Sequence, residues 1–235
     1  MNLQSTKTTK LKQMKTDNTH IKQLFEFDYN QGKHITGTDE AGRGPAAGGV
    51  FAAAVCFDKE PCEELLEKLL PLNDSKQLTK KKREALYDII LENTVNSIVC
   101  VEVGEIEKIN ILNASLKAMR LACLEVAEKL PQDTRILTLV DGNKLIKNYT
   151  YPQRCVIKGD SKSAAIAAAS ILAKVTRDRY MEKLDAEYPQ YGWAKNAGYL
   201  TKEHLDAIDK YGLTPYHRPS FLKKHFAKQE QLSLF

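Results

Sequence analysis

The 235-residue sequence lacks the features that mark several large classes of protein. Its five cysteines (Cys56, Cys62, Cys100, Cys123, Cys155) are odd in number, scattered and never spaced C-x-x-C. That argues against a disulfide framework and against a thiolate zinc site, and it fits a reducing cytosol. No stretch reaches the roughly 18 apolar residues that a membrane-spanning helix needs, and MNLQSTKTTKLKQMKTDNTH at the start has no apolar signal-peptide core. A soluble, cytoplasmic protein is expected. Internal repeats are absent, as is the G-x-x-x-x-G-K-[ST] loop of nucleotide-binding folds. The five histidines (His20, His34, His204, His217, His225) are scattered, so nothing suggests the paired histidines of nucleases that attack through the 2′-hydroxyl. Their expected roles are structural or on the surface. Neither sign of charge dominates: Lys and Arg number 35 against 30 Asp and Glu, a net +5. Lys7, Lys10, Lys12 and Lys15 lie in the polar N-terminal stretch, so charge permits a polyanionic partner without demanding one.

What is present is an ordinary globular composition, 43% hydrophobic, in a length suited to one domain. We divide it into a flexible basic extension over 1–33, a domain over 34–227 and a flexible tail over 228–235. HITGTD and VFAAAVCF read as strands on either side of the turn-forming EAGRGPAAGG, predicting a hairpin. CEELLEKLL and KKKREALYDIILEN have the helical period, and VNSIVCVEV reads as a strand. NILNASLKAMRLACLEVAEKL is an amphipathic helix stopped by Pro131; RILTLVD and QRCVIKGD are two further strands. SKSAAIAAASILAKVTRDRYMEKLDAEY is a helix whose small residues allow close approach to a sheet, and the last third is helical. The sum is an α/β fold: a mixed five-stranded sheet flanked by helices, with a helical C-terminal segment.

Carboxylates gather where strands end: Asp39 and Glu40 after HITGT, Asp141 after RILTLV, Asp160 after QRCVIKG. Strand ends can converge at one sheet edge, and four converging acids would repel one another unless cations sat between them. Oxygen-only ligands favour Mg²⁺ or Mn²⁺, and two such ions about 4 Å apart serve phosphodiester hydrolysis. Taken singly, each acid is as readily a turn residue or a helix cap, and Asp160 stands where a helix beginning at Ser161 would take one.

The stretch GTDEAGRGPAAG, residues 37–48, resembles the opening signature of ribonuclease HII, and NDSKQL, LVDGN and KGDSKSAAIAAASILAKVTRD agree with it in order. The resemblance covers about residues 34–225. It implies the ribonuclease H-like fold, and Asp39, Glu40, Asp141 and Asp160 as metal-binding catalytic acids with water as nucleophile. It further implies cleavage of RNA–DNA hybrids and of duplex DNA carrying ribonucleotides, leaving 3′-hydroxyl and 5′-phosphate ends. Gly42, Arg43 and Gly44 resemble the family's GRG element, whose backbone approaches the 2′-hydroxyl. Tyr199 resembles the tyrosine that packs on the sugar at an RNA–DNA junction; Leu200 follows it, where the family more often has a small residue or proline. Lys76 resembles a lysine near the reacting phosphate, while Lys158 and Lys162 flank Asp160. The segment HRPSF over 217–221 is also similar to the family, with no role that the residues alone explain.

Two other readings compete. A ribonuclease HIII or junction resolvase would share the chemistry, but ribonuclease HIII carries a folded N-terminal domain and only about 33 residues precede the first strand here. A non-catalytic nucleic-acid binder would have no use for four acids facing a polyanion. At the other end, Gln231, Leu232, Leu234 and Phe235 of QLSLF resemble the QLxLF peptide that attaches bacterial replication and repair proteins to the sliding clamp. A monomer is expected.

Overall fold

The computed structural model describes residues 19–232. Five strands form one sheet in the order β3-β2-β1-β4-β5: β1 His34–Ala41, β2 Val50–Cys56, β3 Val95–Val101, β4 Ile136–Asp141 and β5 Gln153–Val156. β1, β2 and β3 are antiparallel neighbours, whereas β4 runs parallel to β1 and β5 parallel to β4. The expected mixed sheet is therefore present.

Strand period places the two cores. In β2, Val50, Ala52, Ala54 and Cys56 face the long helix α5 (Ile111–Lys129), while Ala53 and Val55 face helix α6 (Ala164–Glu187) on the other side. The expected Ala/Ser helix is α6, and residues Ala164 to Ala173 are all buried. It lies so close to β1 that a Cβ on Gly37 would stand 2.3 Å from the backbone of Ala165 and Ile166. Any larger residue at Gly37 would push the helix off the sheet.

Helices α2 (Glu63–Lys68) and α3 (Lys80–Asn93) follow β2, and α4 (Val103–Ile109) leads into α5. Beyond α6, the short α7 (Trp193–Asn196), α8 (Lys202–Tyr211) and α9 (Pro219–Leu232) make the helical C-terminal segment, with its own core of Trp193, Tyr191, Ile208 and Leu222.

Three local expectations are corrected. Residues 19–31, assigned to a flexible extension, form a helix, α1, whose Ile21, Leu24 and Phe25 are buried in the core under α6. The tail placed at 228–235 is helical as far as Leu232, because α9 continues. Asp160 is not the cap of α6: it lies in a 3₁₀ turn (Gly159–Ser161), and Ser163 caps the helix by accepting from the Ile166 amide at 3.2 Å. Asp28 of α1 adds a second acceptor, 2.9 Å from the Ala165 amide. Asp160 is thereby left free for other chemistry.

Candidate active site

β1 and β4 are parallel, so their carboxyl ends meet at one edge of the sheet. Thr38 pairs with Val140, which puts Asp39 and Asp141 on the next rung of neighbouring strands. β1 runs on to Ala41, so Asp39 and Glu40 are still strand residues with opposite orientations. Asp39 shares the α6 face with Ile35 and Gly37, whereas Glu40 turns to the α5 side, beside Ser115 and Met119. The 3₁₀ turn after β5 brings Asp160 to the same edge; its Gly159 amide donates to Asp141 Oδ1 at 2.7 Å.

The electrostatics are those of crowded acids. Asp39 is buried; desolvation first, then the charges of Glu40, Asp141 and Asp160, hold its carboxyl well above the usual carboxylate range. The Glu40 amide donates to Asp39 Oδ1 at 2.7 Å but does not offset this. Burial also raises Glu40, against the nearby Arg43 guanidinium, whose Nη1 donates to Glu40 Oε1 at 3.0 Å. Asp160 is raised by burial, then by Asp74 and Asp141. Among the described residues, no three His, Cys, Asp or Glu side chains form a ready-made metal cage. The acids feel one another through charge rather than through shared contacts. An all-oxygen donor set whose charges destabilise one another fits a hard divalent cation, which would relieve the repulsion.

A cleft of ≈ 290 Å³ opens beside Asp39 and Glu40 and is walled by Gly42, Arg43, Gly44, Lys76, Arg177 and Tyr199. Gly42 has φ +101°, and a Cβ there would meet Arg177 Nε at 2.3 Å, so only glycine fits. Tyr199 lies in the loop between α7 and α8, 54% exposed, with its ring against Gly44: a Cβ on Gly44 would stand 3.2 Å from Tyr199 Cε1. Lys76, in the turn before α3, faces the acids. Partial burial opposes its charge, yet Asp74, Asp39, Asp160 and Asp141 together hold it above the ordinary lysine range. Lys158 and Lys162 are exposed beside the 3₁₀ turn, outside this wall. A larger hollow, ≈ 680 Å³, lies where β1 and β4 begin. Among the described residues Asp133 is the one carboxylate lining it, so we place the chemistry in the smaller cleft.

Two participants were not legible in the sequence. Asp74 accepts from the Lys76 amide at 2.9 Å, and it is the foremost of the neighbouring carboxylates that raise Asp160. Its place in NDSK, two residues from Lys76, was the available signal. Arg177, on α6, is 2% exposed and has no carboxylate hydrogen-bond partner among the described residues; its Nη2 donates to Ala197 O at 2.9 Å and Ala47 O at 3.3 Å. It ties the glycine-rich loop to the Tyr199 loop, and nothing in its neighbouring sequence marks that.

The family model of ribonuclease HII matches residues 36–229. The ribonuclease HII of Fusobacterium nucleatum subsp. nucleatum is 49% identical over 209 residues, 88% of this chain and 93% of the relative. Among solved structures, the ribonuclease H2 of Pyrococcus horikoshii OT3 superposes with a TM-score of 0.65 at 29% identity, covering 81% of this chain and 96% of that one. Two more distant structures share the fold. The ribonuclease HII of a PCNA complex from Archaeoglobus fulgidus has a TM-score of 0.62 at 22% identity, covering 79% of this chain and 93% of that one. A Bst ribonuclease HIII in complex with Mn²⁺ has a TM-score of 0.68 at 15% identity, covering 90% and 73%. With nearly all of the sheet, α6 and most of the C-terminal helices inside the matched span, the chain belongs to the ribonuclease HII family and is a ribonuclease H, a hydrolase.

Proposed function

We propose that this enzyme hydrolyses the RNA strand of RNA–DNA hybrids and cuts on the 5′ side of ribonucleotides embedded in duplex DNA, leaving 3′-hydroxyl and 5′-phosphate ends. The observation that carries the reading is one cleft in which an edge of carboxylates meets a wall of Gly42, Gly44 and Tyr199. Asp39, Glu40, Asp141 and Asp160 would hold Mg²⁺ or Mn²⁺; the Mn²⁺ complex of the ribonuclease HIII neighbour supports a divalent ion. Bound there, such ions would activate water and offset charge on the leaving oxygen.

The chain's own residues do the rest. The backbone of Gly42-Arg43-Gly44, bare of side chains at both glycines, approaches the ribose closely enough to exchange hydrogen bonds with its 2′-hydroxyl. Tyr199 offers its exposed ring to the adjoining sugar. Lys76 is a point charge for the reacting phosphate, steadied by the acids that surround it. Arg43, held by Glu40, leaves most of its donors to the nucleic-acid backbone. Lys158 and Lys162 add positive charge outside the cleft.

Among the described residues no helix is long and apolar enough to cross a membrane. We place the enzyme in the cytoplasm as a monomer, attached to the bacterial sliding clamp through Gln231, Leu232, Leu234 and Phe235. Leu234 and Phe235 lie outside the described residues, and Gln231 and Leu232 close α9. The PCNA complex of the archaeal neighbour supports a clamp as the class of partner. The deciding experiment incubates the protein with duplex DNA carrying one embedded ribonucleotide, in Mg²⁺, in Mn²⁺ and in chelator. Metal-dependent nicking 5′ to the ribonucleotide is expected. An intact duplex under all three conditions would refute the reading.

A further inference from the structure

His204 and His217, expected to be structural or on the surface, are both buried, at 0% and 1% exposure. Their hydrogen bonds admit one arrangement of protons. The Thr214 amide donates to His217 Nδ1 at 2.9 Å, so the His217 proton sits on Nε2. The Trp193 indole can only donate, and its Nε1 lies 3.0 Å from His204 Nε2, so the His204 proton sits on Nδ1. His217 Nε2–H then points at His204 Nε2, 3.2 Å away, and His204 Nδ1–H at the Tyr199 carbonyl, 2.9 Å away. A second proton on either ring would set donor against donor. Burial accordingly pushes both imidazoles down, and with His204 beside it His217 falls to about 4.

This chain of bonds has the glycine-rich loop at one end. His217 pairs with Ala47 through an isolated β-bridge. The adjacent Arg218, fully buried, donates to the Pro45 carbonyl at 2.8 Å and to the Gly48 carbonyl at 2.8 and 2.6 Å. At the other end is the Tyr199 carbonyl, which also accepts from the Thr201 amide at 2.8 Å in a tight turn. The Tyr199 ring returns to Gly44 and closes the circuit.

We propose that His204 and His217 are positioning residues: a proton-ordered pair of neutral imidazoles that fixes the Tyr199 backbone relative to the glycine-rich loop and so sets the gap a ribose enters. The proposal rests on the substrate reading above, through Tyr199. A histidine pair that merely filled the C-terminal core would stabilise the fold without caring which nitrogen carries the proton. A positioning pair depends on the Nδ1–H of His204.

Two isosteres separate these roles. In His204→Asn the carboxamide N–H can stand in for Nδ1–H and keep the Tyr199 carbonyl bonded. In His204→Gln the carboxamide oxygen reaches the Nε2 position, keeps Trp193 and His217 satisfied, and abandons Tyr199. Tyr199–Leu200 is the one Tyr-Leu pair in the chain. Protein labelled with ¹³C-carbonyl tyrosine and ¹⁵N-leucine therefore gives a single carbonyl–amide NMR peak, which reads the Tyr199 carbonyl without substrate. We expect His204→Gln to move that peak and His204→Asn to restore it. Cleavage of a single embedded ribonucleotide should fall about tenfold in His204→Gln, the factor a lost hydrogen bond can command, and less on a long hybrid. In a Tyr199→Ala background His204→Gln should cost nothing further. An unmoved peak in His204→Gln would overturn the proposal, as would an equal loss in the Tyr199→Ala background. A wild-type enzyme inactive on the embedded ribonucleotide would sink the substrate reading instead, and the peak would still decide whether the histidines hold Tyr199.

Discussion

Asp39 and Asp141 stand on neighbouring parallel strands, one rung beyond the Thr38–Val140 pair, and the charge of Asp141 helps raise the Asp39 carboxyl. Sheet geometry fixes their separation, because neighbouring strands lie only about 4.8 Å apart. A fold seldom keeps two carboxylates that close without a cation or proton to share.

Replacing either acid by its amide should remove activity and spare the fold. Asp39→Asn or Asp141→Asn is expected to lower cleavage by more than about a hundredfold, above what loss of a supporting group around a metal costs. The melting temperature in chelator should hold or rise for Asp39→Asn, since a buried charge has gone. Near-wild-type turnover with an unchanged melting curve would remove these residues from the metal site.

Cations should stabilise the folded protein measurably. At a hundred times its dissociation constant, a ligand that binds only the native state adds about 2.7 kcal/mol. Thermal melts in a Mg²⁺ or Mn²⁺ titration should therefore climb with concentration in the wild type and stay flatter in Asp39→Asn. Parallel curves in both proteins would place the ions elsewhere.

Tyr199→Ala should hurt cleavage of one embedded ribonucleotide more than cleavage of a long RNA–DNA hybrid. Only the former depends on sensing a single ribose-to-deoxyribose step, whereas a hybrid offers many registers. Steady-state rates on both substrates check this, and equal losses would leave the ring with no part in reading the junction.

Stability should depend on pH through His217. Its folded-state value of about 4 lies below the ordinary 6.5, so its contribution is complete above pH 6.5 and is lost as pH falls through 4. Asp28, raised to about 6 by burial, works the other way: its contribution is present in acid and is lost as pH rises through 6. A difference between proteins isolates the histidine. His217→Gln should be the weaker protein at pH 7, and the gap in urea-unfolding free energy should close by as much as about 3 kcal/mol towards pH 4. A gap that stays constant with pH would mean that folding leaves His217 protonation unchanged.

Deleting residues 231–235 should leave cleavage of a short oligonucleotide intact and abolish binding to the cognate sliding clamp in a titration. Tethering acts through effective concentration rather than through the catalytic groups. Undiminished clamp binding by the shortened chain would refute the motif.

The five strands, the small-residue helix α6 and the converging edge of Asp39, Asp141 and Asp160 were legible because each depends on local period or on where strands end. Helix α1 was hidden because the polar run before it masked Ile21, Leu24 and Phe25, which do carry helical spacing. The capping error at Asp160 arose because Ser163 and Asp28 were both available and only tertiary structure chooses. Arg177 and Arg218 were unreadable for a deeper reason: their partners are carbonyl oxygens up to 173 positions away, and a carbonyl has no signature in sequence.

The bond between Asp28 and the Ala165 amide spans 137 residues, and the turn that presents Asp160 lies immediately before the helix it caps. On the ribosome, α1 emerges early and must wait for that helix before its carboxyl has a donor. Tyr199 and the helices that hold it arrive later still. Contacts of such long range form only after most of the chain is out, since loop closure has to precede them. The cleft is therefore completed only after Tyr199 has been made, and a nascent chain that has exposed Asp39 and Glu40 still lacks the wall that would read a ribose.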